Sequence, residues 1–202
     1  MRVVSGTARG RSLKAVPGKG TRPTTDKVKE ALFSMIGPYF EGGQVLDLFA
    51  GTGGLGIEAL SRGMDHAIFI DMDPKAIDVI KQNLQATQLV KQAEVYRNDA
   101  KRAIKALAKR GTSFSLVFLD PPYRMTDADE LVMELEEKQL LHPDVTVVME
   151  HDAEVSYADR IGKLSLWKRS SYGETIISVY HYNEMMELDA NQKEDTDDAT
   201  DA

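Results

Sequence analysis

Cysteine is absent from this chain. That excludes disulfides, thiolate metal sites, iron–sulfur clusters and cysteine nucleophiles together. Histidine is scarce. His66, His142, His151 and His181 are scattered without ligand spacing, so no metal is expected. No apolar run approaches the length of a membrane span, and Met1-Arg2-Val3-Val4-Ser5-Gly6 lacks the pattern of a signal peptide. The expectation is a soluble, cytoplasmic protein with no membrane partner. Acid is missing from residues 1–25, which carry Arg2, Arg9, Arg11, Lys14, Lys19 and Arg22. The net charge of -7 therefore misleads. Residues 184–202 hold eight acids against Lys193, a balance of -7 that equals the whole chain's. A basic front edge can bind a polyanion despite an acidic total.

What is present suits one domain: 202 residues, 42% of them hydrophobic. Arg2 to Ser5 and Arg11 to Val16 read as short strands around Gly6-Thr7-Ala8-Arg9-Gly10, a basic hairpin whose charges suit phosphates. Thr24, Thr25 or Asp26 can cap a helix with apolar positions Val28, Ala31, Leu32, Met35 and Ile36, closed by Gly37-Pro38. Then strand and helix alternate. A strand at Val45 enters Gly51-Thr52-Gly53-Gly54-Leu55-Gly56 and an amphipathic helix from Leu55 to Ser61. Further strands are expected at 67–70, 94–97, 116–119 and 145–149, with the last helix from about Ala128 to Leu141. Such alternation predicts a doubly wound parallel sheet. Lys163 to Lys168 and Thr175 to His181 break it, as an antiparallel hairpin at one edge. The division expected is a basic hairpin over 1–22, a catalytic domain over 23–183 and an acidic disordered tail over 184–202.

In such a sheet, ligands bind at the carboxyl ends of the strands. Four expected strands end in acid: Asp47, Asp71, Asp99 and Asp120. The glycines bring bare N–H groups and a helix N-terminus to the same rim. Asp71 lies 20 residues after Gly51, the offset of a carboxylate that grips a ribose. A nicotinamide fold shares these features. Asp47 argues against it, because a carboxylate in the first turn repels a pyrophosphate and attracts an amine. S-adenosylmethionine fits better, since it carries an amine, a sulfonium and a ribose but no phosphate. Asp99 can then accept from its adenine amino group. After the fourth strand, Asp120-Pro121-Pro122-Tyr123 puts a carboxylate, a rigid carbonyl and an aromatic side by side. Asp120 and the Pro121 carbonyl can each accept one hydrogen of an exocyclic amine, freeing its lone pair. Tyr123 can stack on the base.

Leu46 to Gly56 and Asp120 to Tyr123 resemble motifs I and IV of class I methyltransferases that act on amino groups. The finer resemblance is to the bacterial small-subunit ribosomal RNA guanine-N2 methyltransferases, the RsmD type. It rests on Ser5-Gly6 with Arg9-Gly10-Arg11, Arg22-Pro23-Thr24, Glu30-Ala31-Leu32-Phe33, Asp47 through Gly63, Asp120 through Tyr123, and Tyr172-Gly173-Glu174-Thr175. This resemblance implies a Rossmann-like, mostly parallel seven-stranded sheet. It implies S-adenosylmethionine without a metal, and a monomer acting on a guanine, numbered 966, in 16S RNA of the assembling small subunit. Asp47, Gly51, Thr52, Gly53, Gly56, Asp71 and Asp99 would hold the cofactor. Asp120, Pro121 and Tyr123 would be catalytic, and Arg2, Arg9, Arg11, Lys14 and Arg22 would meet RNA. Two alternatives stay open: an amine methyltransferase for another target such as adenine N6, and a non-catalytic RNA-binding factor.

Overall fold

The alternation is realised in a computed structural model that describes residues 1–18, 25–122 and 125–182. Helix α1 (Asp26–Ile36) leads into β1 (Gln44–Asp47), α2 (Gly54–Ser61), β2 (His66–Asp71) and α3 (Pro74–Thr87). Then follow β3 (Ala93–Arg97), α4 (Ala100–Ala108), β4 (Phe114–Leu119) and α5 (Ala128–Glu137). The chain continues through β5 (Leu141–Asp152), β6 (Arg160–Ile161), β7 (Leu164–Tyr172) and β8 (Thr175–Tyr182). The sheet runs in the order β3-β2-β1-β4-β5-β8-β7-β6. Strands β1 to β5 pair in parallel, and β8 joins β5 antiparallel. The order reverses at β1, whose neighbours are β2 and β4. That reversal opens a crevice above the strand ends.

Alternating side chains serve two helical layers. Leu46, Leu48, Ile68, Ile70, Val117, Leu119, Val147 and Met149 pack with α4 and α5. Val45, Ala67, Phe69, Leu116, Phe118 and Val148 pack with α1, α2 and the start of the chain. No helix among the described residues is long and apolar enough to cross a membrane.

Four expectations are corrected. The sheet has eight strands, not seven: β6 is a two-residue strand paired to the start of β7, too short to leave a periodic signal. The last main helix stops at Glu137, because Gln139 turns left-handed (φ 57°) and Leu141 already belongs to β5. Helix α1 keeps Leu32 in the core with Val28, Met35 and Ile36 packed against it, but it also buries Lys29 and Phe33, so its inner face extends beyond the expected stripe. Helix α2 is not amphipathic, for all eight of its residues are buried.

The last two corrections share a cause in the first fourteen residues. They fold back antiparallel on themselves, with one bridge joining Arg2 to Ser12 in place of two named strands. Backbone bonds from Val3 N–H to the Arg11 carbonyl and from Leu13 N–H to the Met1 carbonyl hold the two limbs together. This arm lies on α2 and α3 rather than in solvent, with Val3, Ala8 and Leu13 buried in the core. Glu58, fully buried on α2, is the clasp. It accepts Val4 N–H at 2.8 Å and Ser5 N–H at 2.9 Å. It also pairs with Lys29 Nζ at 3.2 Å and Arg62 Nε at 2.9 Å. Lys29 donates further to the Arg2 carbonyl at 2.6 Å, and burial pushes its pKa down. Farther along α2, Ala8 N–H donates to Ser61 Oγ, and Ser61 Oγ donates to the Ser5 carbonyl. Gly6 makes this approach possible. Its φ is +82°, and a Cβ there would sit 1.7 Å from the Ser61 carbonyl oxygen.

Candidate active site

Each expected acid stands where a parallel strand hands over to its loop. Asp47 ends β1, is buried, and accepts Gly56 N–H from the first turn of α2 at 3.3 Å. Burial, with a smaller push from Asp71, raises its pKa from the ordinary 3.8 to about 7, against the Gly56 bond that lowers it. No cation among the described residues pairs with it. A buried, basic carboxylate of this kind fits a ligand that brings its own positive charge.

The glycine loop is held from several sides. Gly53 adopts a left-handed conformation (φ 76°) as the N-cap of α2, and its N–H donates to the Ala50 carbonyl. Gly56 lets the helix sit directly on β2, since a Cβ would come within 2.3 Å of the Phe69 ring. Asp71 braces the loop: one oxygen accepts Gly51 N–H at 2.9 Å and the other accepts Asp73 N–H at 2.8 Å. Each oxygen keeps a second lone pair, so grip on a ribose and loop bracing are compatible. Asp99 caps α4 by accepting Arg102 N–H at 3.2 Å, a role that sequence reading did not assign.

Asp120 follows β4, one strand over from Asp47. Registers Asp47–Phe118 and Leu119–Met149 put the ends of β1, β4 and β5 side by side. The Asp120 residue is exposed, and Pro121 is half-buried beside it. Crowding by the surrounding protein pushes the Asp120 pKa well up, and the charges of Glu150 and Asp47 push the same way. The Pro122 carbonyl is engaged by Met125 N–H at 2.8 Å. Tyr123 lies outside the described residues. So do Arg22, Lys19, the proposed cap Thr24 and the acidic tail.

The other expected RNA contacts are spread along the arm. Arg2 is near the start of α1, bonded to Asp26. Lys14 Nζ reaches Gln82 on α3. Arg9 and Arg11 are exposed at the turn, beside the carboxyl ends of α2 and α3, where Arg11 donates to the Ala86 carbonyl. Two surface depressions, about 410 and 510 Å³, flank Arg9. They lie on the arm, whereas the carboxylates gather at the strand ends.

Three residues of consequence escaped sequence reading. Glu58 and Lys29 gave no signal, because a charge on a helix reads as solvated until its partner is known. Asn83 on α3 is fully buried; it bonds Lys14 N–H and the Lys14 carbonyl at 2.7 and 3.1 Å, and donates to the Thr52 carbonyl of the glycine loop at 2.9 Å. Arm and loop therefore hang on one side chain. Glu150 was within reach. It follows the expected fifth strand, 145–149, as the other four acids follow theirs.

A family model described as Conserved hypothetical protein 95 matches residues 1–181. The chain is 56% identical over 180 residues to YlbH of Bacillus subtilis, named as a candidate rRNA methyltransferase, covering 89% of this chain and 98% of that one. It is 34% identical over 191 residues to ribosomal RNA small subunit methyltransferase D of Escherichia coli, covering 95% and 94%. The solved structure of yhhF from Escherichia coli, titled a candidate methyltransferase, superposes with a TM-score of 0.75 at 35% identity over 91% of this chain and 98% of that one. SMU.776, titled a candidate methyltransferase complexed with SAH, shares the fold: TM-score 0.66 and 12% identity over 80% of this chain and 50% of that one.

Proposed function

The chain belongs to the family of Conserved hypothetical protein 95, and from that footing we propose that it transfers a methyl group from S-adenosylmethionine to small-subunit ribosomal RNA. The proposed acceptor is the exocyclic N2 of a guanine, the one numbered 966 in 16S RNA of the assembling subunit. The relatives named for rRNA methylation support that reading. The meeting of Asp120 and Asp47 at neighbouring strand ends is the observation that carries the chemistry.

The cofactor fits the residues present. Asp47 would face its positive charge, Gly51, Thr52, Gly53 and Gly56 would line its backbone cradle, and Asp71 and Asp99 would take its ribose and adenine. When bound it supplies an electrophilic methyl group on a sulfonium. Everything else falls to the chain. Asp120 and the Pro121 carbonyl accept the two hydrogens of the base amine and turn its lone pair toward the cofactor. Bond formation to nitrogen would be matched by cleavage of the S–CH3 bond, its electron pair returning to sulfur to leave S-adenosylhomocysteine; Asp120 would stabilise the positive nitrogen and take the departing proton. No covalent intermediate is needed; position and electrostatics supply the rate. Tyr123 would stack on the base. Arg2, Arg9, Arg11, Lys14 and Arg22 would meet phosphates.

Label transfer from S-adenosylmethionine to undermethylated small subunits, followed by nucleoside digestion, tests this reading. N2-methylguanosine is expected from the parent and is lost in Asp120→Ala, which still binds S-adenosylhomocysteine. Undiminished transfer by Asp120→Ala overturns the mechanism. Label in N6-methyladenosine instead establishes the alternative target.

A further inference from the structure

The reading as a base-amine methyltransferase leaves open how guanine is told from adenine, and the strand ends hold a residue placed for that task. We propose that Glu150 reads the edge of the target base, accepting the N1–H of guanine next to the amine held by Asp120. The inference rests on the function proposed above and adds its specificity determinant.

The placement follows from register. Phe118 of β4 is opposite Val148 of β5, and both face the α1–α2 layer. Leu119 is opposite Met149, and both face the α4–α5 layer. One residue on, alternation returns Glu150, still inside β5, to the first side, beside the point where the chain leaves β4 at Asp120; adjacent strands run about 5 Å apart. Asp47 belongs to that side as well, lying between Leu46 and Leu48, which face the other layer. Glu150 is half-buried and still held in the sheet, paired in register with Ile177 of β8. It is therefore a fixed group on a rigid element beside the loop that carries the chemistry. Among the described residues, Glu150 from β5 and Asp47 from β1 are the charged groups that act on Asp120, and both are acids.

A rim of acceptors selects a ligand edge made of donors. Guanine offers one: N1–H and the N2 amine lie side by side on its Watson–Crick edge. Adenine offers the opposite neighbour, since its N1 is a bare acceptor next to the N6 amine. A carboxylate set beside the amine-binding group gains a charge-assisted bond with guanine and meets a lone pair with adenine. A site built to bond a substrate N–H rejects the analogue that lacks it far more strongly than an apolar pocket rejects a methyl group.

The test uses small subunits reconstituted with guanine or 2-aminopurine at the target position. 2-Aminopurine keeps the 2-amine and lacks N1–H. Single-turnover label transfer is measured for the parent and for Glu150→Gln, with S-adenosylhomocysteine calorimetry as a check that each binds cofactor alike. The parent is expected to prefer guanine by roughly 100-fold. In Glu150→Gln the preference collapses toward parity, because the amide can turn to donate to the bare N1. Glu150→Asp, which keeps the charge on a shorter stem, retains the preference at a lower rate. A guanine preference in Glu150→Gln equal to the parent's overturns the proposal. A parent that labels neither base overturns the base-amine reading itself, and that result is visible before any variant is examined.

Discussion

Asp47 gives a prediction whose size follows from its surroundings. A carboxyl pushed up to about 7 binds its proton more tightly in the folded protein than in the unfolded chain, where the ordinary value is 3.8. Between those two values the folded state holds the extra proton, so stability falls as pH rises through the window and levels off above about 7. The interval spans about three pH units, and at 1.36 kcal/mol for each the full effect is about 4 kcal/mol. Asp47→Asn keeps an acceptor for Gly56 N–H and removes the charge. The variant is therefore expected to lack this slope and, without cofactor, to exceed the parent in stability above pH 7 by up to about 4 kcal/mol. Part of the difference belongs to Asp120, whose pKa Asp47 helps to raise. Urea unfolding of both proteins without cofactor, from pH 4 to 8, gives the difference curve directly. Parallel pH profiles for parent and variant refute the reasoning. The same substitution should weaken S-adenosylhomocysteine binding at pH 8, a trade of function for stability common at binding sites.

Two further outcomes follow from the arm. Glu58→Gln leaves Lys29 and Arg62 without their buried counter-charge and should cost about 3–5 kcal/mol in urea unfolding, with faster hydrogen exchange at the Val4 and Ser5 amides. Unchanged exchange at those amides would deny Glu58 its role as the clasp. Reversing charge at Arg9 and Arg11 should weaken RNA binding and lower its salt slope by up to about 0.9 for each phosphate contact removed, while S-adenosylhomocysteine affinity stays put. A salt slope equal to the parent's would remove the turn from the RNA interface.

Much of the fold was legible because its elements are periodic. Asp73-Pro74 opens α3 as a cap and first-turn proline should, and Asp73 accepts Lys75 N–H at 2.9 Å. The acids at strand ends were legible for the same reason: a buried apolar run that stops at a carboxylate marks a rim. What could not be read were the contacts between distant segments. The arm read as a basic hairpin suited to phosphates because its four bases and no acid dominate its composition, while Val3, Ala8 and Leu13 are too sparse to announce a core face. Glu58 satisfies charges from positions 29 and 62 and backbone from positions 4 and 5, and only the fold brings those together. The two-residue β6 lies below any periodic signal. Tyr123 and Arg22 stand as sequence expectations, being outside the described residues.

The bonds of Asn83 bear on any attempt to retarget this protein. Transplanting the first fourteen residues from a relative with another RNA preference would also transplant two backbone groups of residue 14 that need this carboxamide on α3. It would bring the partners of Glu58 and Ser61 on α2 as well. A chimaera cut at the end of the arm severs those links, and the Thr52 carbonyl loses its anchor if position 83 changes with them. The exchangeable module is thus the arm together with the facing sides of two helices, one of which begins in the loop proposed to cradle the methyl donor.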